Sequence, residues 1–546
     1  MLTNTYVPVL VTIGCVFLGA NAFALPFEGL FKLDIIHYND FHARFEETSV
    51  STATCRFNNN SCLGGFPRLY HEIQALRQEK PDALLLNAGD SFQGTYWYTL
   101  LKWNVTQHFM NLLPHDAHAI GNHEFDDGPA GLAPYLSALK APVLAANMDT
   151  SQEPVLQDLY KPSIVVERNG RKIGIIGLIT VETKMLSSSG KVVFLDPREV
   201  TRREAKALTE QGVDIIILLS HCGLDVDKEL ARDYGEHIDV IVGGHTHSLL
   251  WDGPAPSGEP AAGPYPLTLH ATQGGNHTVL VVQASAFTKY MGNLTVLFDH
   301  RGEYVSWEGG PIFLDRSIPE DADIKAQLEP YAALVREEVN KVVGASSVDL
   351  MFEDCVYGEC PLGDIIVDAF NAQAKAKYES KYDYIAIVQR GDIKTSIPAG
   401  NITQGDLFEL LPYNDKLETF ELAGRHLREA LEHGVSDAWA YKPFKGPWLL
   451  QVAGIRVKFD LTKPEGSRVA SVTVGDTEPG APLEDDRLYQ VTTASYLAGG
   501  GDGFKMLKEH RQNVVLVGRD QDVVGSYIRA HSPLATATDG RITITE

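Results

Sequence analysis

Short apolar runs alternate with helix-like segments through the first half of the chain, and this alternation constrains the fold more than any other feature. The first run is Phe31–His37 and the last is Val279–Val282, with amphipathic stretches such as Pro67–Gln78 and Val200–Glu210 between several of them. The other runs are Ala83–Leu86, Ala117–Ile120, Val143–Ala145, Ile173–Ile179, Ile215–Leu219 and Ile238–Val242. Such alternation predicts a layered α/β domain with mostly buried strands.

Residues 318–343 follow a different pattern. Apolar side chains recur there at three- and four-residue spacing: Ile324, Leu328, Tyr331, Leu334, Val335, Val339 and Val342. The spacing predicts one long helix that joins two domains and ends before Gly344, with a kink at Pro330. Beyond it, residues 344–546 mix helical segments (Leu362–Lys377 and Gly424–His433) with strand pairs, as in an α+β domain.

The first 24 residues contain no Asp, Glu, Lys or Arg, and small residues at Ala20, Ala22 and Ala24 provide cleavage sites. We therefore expect a secretory signal peptide at 1–24, so that the first domain spans 25–317. An uncleaved membrane anchor is the alternative, but the apolar run 7–20 is short beside the roughly 20 residues of a membrane span. The carboxyl terminus has no hydrophobic tail for a lipid anchor, so we expect a secreted, extracellular protein without a membrane anchor.

Secretion permits disulfide bonds. Cys55 and Cys62 are seven residues apart and Cys355 and Cys360 are five apart, which favours two short-loop disulfides with Cys222 left over. Five sequons fit a secreted glycoprotein: Asn59, Asn104, Asn276, Asn293 and Asn401. The net charge of −24, with no compensating basic cluster, argues against binding to nucleic acid or to an anionic membrane surface.

Polar fragments follow the ends of the apolar runs in the first domain. They are Asp40-Phe41-His42, Gly89-Asp90, Gly121-Asn122-His123-Glu124-Phe125-Asp126, Ser220-His221 and Gly243-Gly244-His245-Thr246-His247. Each alone is an ordinary turn. Together they place carboxylate, amide and imidazole groups where ligands gather in α/β sheets, and this favours a metal site.

The number of donors indicates the kind of site. Seven candidate ligands are Asp40, His42, Asp90, Asn122, His221, His245 and His247. One zinc ion needs about three or four ligands, whereas two divalent ions that share Asp90 would use all seven. Asp40, His42, Asp90 and His247 would hold one ion, and Asp90, Asn122, His221 and His245 the other. Zn²⁺ suits this donor set best, with Mn²⁺, Fe, Mg²⁺ or Ca²⁺ as alternatives.

These fragments match the dinuclear metallophosphatase pattern, and the whole chain after residue 24 resembles the 5'-nucleotidase/apyrase family. The resemblance implies a layered αββα metallophosphatase domain followed by a nucleotide-binding α+β domain. It also implies a catalytic pair at His123 and Asp126, a metal-activated water as nucleophile, and a basic residue near the phosphates at Arg44. Asn122 belongs to both the metal and the substrate set. No chemistry is assigned to Cys222.

In the second domain the resemblance assigns Tyr413 and Tyr496 to a sandwich around the nucleobase and Asp502 to the ribose. Family members that act on AMP carry an Arg between the paired cysteines, where this chain has Val356. They also carry an Asn and an Arg where this chain has Gln389 and Lys394, which remain candidate substrate-binding residues. Lysine lacks the planar fork with which arginine grips a phosphate, and we expect Arg390 to compensate only in part.

The loss of these arginines favours an apyrase that converts ATP and ADP to AMP, because longer phosphate chains depend less on them. Secretion without a lipid tail resembles the arthropod salivary apyrases of the family, which remove platelet-activating ADP. A 5'-nucleotidase that acts on AMP is the alternative, and a UDP-sugar or cyclic-nucleotide hydrolase stays open within the enzyme class. A non-enzymatic salivary binder of nucleotides or of a platelet receptor is the alternative of another class, and the oligomeric state is left open.

Overall fold

The computed structural model describes residues 29–50, 55, 62–272, 277–356, 358–436, 449–475, 480–535 and 537–545. The predicted signal peptide and the sequons at Asn59 and Asn276 lie outside the described residues, as does the side chain of Val356. Among the described helices, none combines the length and the apolar character that crossing a bilayer requires.

Two six-stranded sheets form the first half of the chain. The first has the spatial order Tyr304–Phe313, Tyr290–Phe298, Phe31–Tyr38, Leu84–Asn87, Ala117–Ala119 and Val143–Leu144. The second has the order Leu267–His270, Thr278–Val282, Val240–Val242, Ile215–His221, Arg171–Ile179 and Ser163–Arg168. In the first sheet the strands from Phe31–Tyr38 to Val143–Leu144 run parallel, and the two strands Tyr290–Phe298 and Tyr304–Phe313 add antiparallel. In the second sheet the four inner strands run parallel and both edge strands are antiparallel.

The sheets pack face to face, with helices outside. Along the strand Phe31–Tyr38, Leu33 and Ile35 enter the core between the sheets, while Ile36 and Tyr38 join a second core under the helices of the first sheet. The helices of this half are Phe66–Glu79, Tyr96–Met110, Gly128–Ala138, Thr183–Leu186, Pro197–Glu210 and Leu224–Asp233. The predicted layered αββα architecture is confirmed, because alternate side chains of each strand must bury on both faces.

The joining helix runs over Ala322–Val339 and is shorter than the predicted 318–343. Asp321 begins it, since its side chain accepts a hydrogen bond from the amide of Ile324. It cannot reach residue 343 because Val342–Ser346 pairs as a strand with Gly400–Thr403. Its buried side chains pack in the core of the first sheet's helices.

The second domain mixes helices with antiparallel and parallel strands, as the α+β prediction expected. A five-stranded sheet has the order Leu450–Ala453, Tyr384–Gln389, Leu488–Ala494, Lys416–Ala423 and Gln512–Arg519. A four-stranded sheet has the order Ala481–Pro482, Val469–Val474, Ile455–Asp460 and Ile542–Thr545. The helices are Pro361–Lys377, Gln404–Leu410, Gly424–Gly434, Ser495–Ala498, Lys505–His510 and Asp520–His531.

Both predicted disulfides are present. Cys55 bonds to Cys62 and Cys355 bonds to Cys360. Cys222 is a free, buried thiol. Burial raises the pKa of this thiol far above its usual value, so it stays protonated and packs as a small apolar side chain.

Candidate metal centre and substrate cleft

The carboxyl ends of parallel strands from both sheets meet at one place, and the candidate ligands lie there. Asp40 follows the strand Phe31–Tyr38, Asp90 follows Leu84–Asn87, and His221 ends Ile215–His221. Backbone hydrogen bonds join the first two loops, from the amide of Asp40 to the carbonyl of Gly89 at 3.0 Å. The fold therefore brings together residues that are more than 200 positions apart in sequence, such as Asp40 and His247.

Asp40, His42 and His247 form the first candidate ligand group, with ligand atoms within 4.8 Å of one another. Nε2 of His247 lies 3.2 Å from a carboxylate oxygen of Asp40 and 3.1 Å from Nε2 of His42. Nε2 of His42 also lies 3.8 Å from a carboxylate oxygen of Asp90. Two imidazoles and two carboxylates thus face one point.

Asp90, His221 and His245 form the second group. Nε2 of His221 lies 3.0 Å from Oδ2 of Asp90, the same oxygen that faces His42. Asn122 is 3% exposed, and its side-chain oxygen is a buried acceptor without a hydrogen-bond donor among the described residues. Asp90 therefore stands between the two groups, as a bridging ligand would.

Backbone carbonyls hold two of the imidazoles in the orientation that metal binding needs. Nδ1 of His42 donates to the carbonyl of Phe92 at 3.1 Å, and Nδ1 of His221 donates to that of Ala88 at 2.7 Å. The Nε2 lone pairs are thereby directed into the pocket. Nε2 of His221 is fully buried and, within the described residues, makes no well-aligned hydrogen bond. The donor set and these buried atoms fit two divalent cations.

Burial and neighbouring charges shift the pKa values of several ligands. Burial lowers the pKa of His42 to about 3, so its imidazole is neutral. Burial alone would raise the pKa of Asp90, but His221, His123 and His42 hold it well below its usual value. Burial likewise opposes the charged form of His221, yet Asp90 raises the pKa of that imidazole to about 9. A metal ion at His221 must therefore displace a proton.

The backbone is strained at the ligands. Asp40, His42, Asp90, His245 and His247 have φ angles of 51°, 49°, 53°, 77° and 52°. Residues other than glycine rarely adopt this left-handed region, and those that do are concentrated at functional sites. The strain is opposed by hydrogen bonds such as those from Asn39, whose amide donates to Asp40 at 2.7 Å.

Glu124, which the sequence did not single out as a site residue, holds two ligand loops together. Its carboxylate accepts hydrogen bonds from the backbone amides of Asp90, Ser91, Phe92 and Gly121 at 3.0, 2.6, 3.0 and 2.6 Å. Burial and the Asp90 carboxylate raise the pKa of Glu124 to about 7, and the amide donors oppose that shift. Gly121 must be a glycine here, because a Cβ would overlap Asp90.

His123 and Asp126 lie at the edge of the two ligand groups. Nδ1 of His123 donates to Oδ2 of Asp126 at 2.8 Å, and the His123 and His42 rings are 5.1 Å apart. Burial disfavours the imidazolium, but Asp126, Asp90 and Glu124 outweigh it and raise the pKa of His123 to about 10. The pair can therefore present a positive charge to an anionic substrate.

A cleft of about 820 Å³ joins the metal centre to the second domain. Its walls include eleven of the predicted site residues: Asp90, Asn122, His123, Asp126, His245 and His247 from the first domain and Gln389, Lys394, Tyr413, Tyr496 and Asp502 from the second. Both tyrosines are exposed, and the hydroxyl of Tyr496 donates to Asp502 at 3.1 Å. Aromatic faces of this kind can stack on a nucleobase.

The other predicted substrate residues have different environments. Gln389 and Lys394 line the cleft, with the Lys394 ammonium 5.1 Å above the Tyr413 ring. Arg390 does not line the cleft, and its guanidinium packs 5.4 Å above the ring of Phe352. The expectation that Arg390 partly compensates for the missing arginines therefore finds no support. Arg44 also lies outside the cleft lining, with its guanidinium 4.9 Å above Phe287.

Two family models match this chain in succession. The calcineurin-like phosphoesterase model covers residues 33–249, and the model of the 5'-nucleotidase C-terminal domain covers 342–509. Membership of the first family implies two divalent metal ions.

Similar proteins extend over nearly the whole chain. An apyrase of Tabanus yao is 40% identical over 94% of each chain, and an apyrase of Anopheles gambiae is 42% identical over 92% of this chain and 89% of that one. The crystal structure of a 5'-nucleotidase precursor from Thermus thermophilus is 36% identical, with a TM-score of 0.75 over 94% of this chain and 99% of that one. The chain therefore belongs to the 5'-nucleotidase and apyrase family and is a nucleotide phosphohydrolase.

Proposed function

We propose that the protein is a secreted apyrase that hydrolyses ATP and ADP to AMP and phosphate with two divalent ions, of which Zn²⁺ suits the ligands best. One observation carries the proposal. The two candidate ligand groups, with Asp90 facing both, open into the same cleft as Tyr413 and Tyr496. That arrangement can hold a base at one end and a terminal phosphate at the other.

Each group at the metal end has a role that its geometry supports. Asp40, His42, Asp90 and His247 would hold one ion, and Asp90, Asn122, His221 and His245 the other. Two such ions supply an activated water nucleophile and a clamp for phosphoryl oxygens. His123, kept cationic by Asp126, would stabilise the charge that develops on the phosphoryl oxygens or on the leaving group.

The preference for longer phosphate chains rests on what the cleft offers. Lys394 supplies a point charge beside Tyr413, and Arg390 is turned toward Phe352. A monophosphate would therefore lack a planar guanidinium grip from this loop. Relatives 40% and 42% identical over nearly their full length are named apyrase, in agreement with this proposal.

A 5'-nucleotidase acting on AMP is the second candidate, favoured by the likeness to a solved 5'-nucleotidase precursor. Phosphate release from ATP, ADP and AMP with Zn²⁺, Mn²⁺, Mg²⁺ or Ca²⁺ separates the two. Rapid release from ADP and ATP with slow release from AMP is expected, and brisk release from AMP would refute the proposal. No release from any nucleotide with any of these ions would favour a non-enzymatic nucleotide binder.

Secretion is part of the proposal and rests on the charge-free segment 1–24 together with the two disulfides. Expression of the full chain in insect cells tests it. The protein should collect in the medium, and Edman sequencing should find a mature terminus near residue 25. Retention in the membrane fraction would contradict it.

A further inference from the structure

Besides Lys394, three lysines of the cleft wall form no ion pair among the described residues. Lys184, Lys416 and Lys508, here called the cleft lysines, are exposed and line the cleft. The partners that the described residues give to their ammonium groups are a hydroxyl, a thioether sulfur and a backbone carbonyl.

Three other cations of the cleft wall have polar partners of their own. Lys102 pairs with Asp127 at 3.1 Å, Arg511 pairs with Glu418, and Arg519 donates to the carbonyl of Asn414 at 2.6 Å. The cleft lysines, like Arg519, contact uncharged groups. Lys416 donates to the hydroxyl of Ser188 at 3.0 Å, Lys508 lies 2.9 Å from the sulfur of Met185, and Lys184 donates to the carbonyl of Gly190 at 2.7 Å.

The backbone positions of Lys416 and Lys508, the two cleft lysines of the second domain, lie beside the base site. Lys416 is three residues beyond Tyr413. The Cβ of Lys508 lies close to Gly500, since a Cβ added to that glycine would be 3.3 Å from it. Gly500 belongs to the glycine run that follows Tyr496.

The ends of the same lysines reach toward the metal centre. They contact the segment 184–190 of the first domain, in which Ser187 donates to the backbone carbonyl of Asn122 at 2.6 Å. Just before this segment, Glu182 lies 3.8 Å from His245. The ammonium groups of Lys416 and Lys508 therefore lie between the nucleobase end of the cleft and its metal end.

We propose that the cleft lysines form a subsite for the phosphate chain of nucleoside di- and triphosphates. The subsite rests on the proposed function, because the base must bind at Tyr413 and Tyr496 and the terminal phosphate at the metals. Each further phosphate adds negative charge to the stretch of substrate that passes these lysines. The subsite thus favours ADP and ATP over AMP without the guanidinium groups that grip a monophosphate.

The test is the affinity for a non-hydrolysable ADP analogue, with a methylene bridge between its phosphates, compared with AMP. Calorimetry on the metal-loaded full chain would compare the wild type with Lys184→Ala, Lys416→Ala, Lys508→Ala and the Lys416→Ala/Lys508→Ala double variant. Each single substitution should raise the Kd of the analogue about two- to fivefold, with a smaller effect on AMP, because exposed charges contribute modestly. Lys416→Arg should retain most of the affinity, and the wild-type advantage should shrink at high ionic strength.

Lys172→Ala is the matched control, since Lys172 is exposed and lies outside the cleft lining. Equal losses in this control, equal losses for AMP and the analogue, or no loss in the cleft variants would each overturn the subsite. The proposed function fails separately. If the wild type releases phosphate only from AMP, the apyrase assignment falls, while the Kd comparison still decides on the lysines.

Discussion

Replacing Glu124 by glutamine should dismantle the metal centre without removing any ligand. The Glu124 carboxylate is 2% exposed and accepts four backbone amides from the loops that carry Asp90 and Asn122. Glutamine keeps one acceptor oxygen and turns an NH₂ group toward two of those amides. Two of the four hydrogen bonds are lost and two donors are left buried without an acceptor.

The size of the effect follows from that count. Hydrogen bonds to charged groups contribute about 1.5–3 kcal/mol each, so the loss of two weakens the local structure by about 3–6 kcal/mol. That is a large part of the roughly 5–15 kcal/mol by which a domain is stable. Amide protection around the two loops should therefore fall by about two to four orders of magnitude.

Hydrogen exchange followed by mass spectrometry can measure this directly on peptides that contain residues 84–92 and 117–125. Zinc content and phosphate release from ADP should fall together with protection. Glu199→Gln is a matched control, because that carboxylate is 70% exposed on a helix. If Glu124→Gln keeps wild-type protection and activity, Glu124 does not organise the centre.

Three further predictions concern the catalytic pair, the base site and metal uptake. Asp126→Asn should lower kcat for ADP by about 10²–10⁴-fold with an unchanged circular dichroism spectrum, because His123 loses its charged partner; kcat within threefold of the wild type would contradict this role. Tyr413→Ala and Tyr496→Ala should each raise KM for ADP by about fivefold or more, while hydrolysis of p-nitrophenyl phosphate, which has no nucleobase, changes little; equal losses with both substrates would mean that the rings do not bind the base. The affinity for Zn²⁺, measured by calorimetry, should fall as the pH drops from 9 toward 6, because a proton competes with the ion for His221, whose pKa is raised to about 9. An affinity independent of pH would show that no proton competes with the ion at His221.

The sequence predicted the strands well where burial decides the pattern. Ile215–Leu219 and Val279–Val282 lie between other strands of a sheet, so their side chains are apolar on both faces and stand out as continuous runs. The strand Tyr304–Phe313 was not predicted, because it lies at a sheet edge and contains Gly309, Gly310 and Pro311 among half-exposed side chains.

In the site, too, some residues could be predicted from the sequence and others could not. Ligands such as Asp40 and His221 could be predicted because a polar residue after a buried run is visible in the sequence. Glu124 could not be assigned a role from its position, because its partners are backbone amides whose arrangement depends on the folded loops. Contacts such as that of Lys416 with Ser188 depend on how the two domains meet, which no local pattern specifies.

Anomalous diffraction at the zinc absorption edge, from crystals of the protein grown with Zn²⁺, tests the shared-aspartate centre most directly. Two peaks about 3.5–4 Å apart are expected, with the Asp90 carboxylate between them and the imidazoles of His42 and His221 on opposite sides. A single peak, or two peaks without Asp90 between them, would contradict the dinuclear centre.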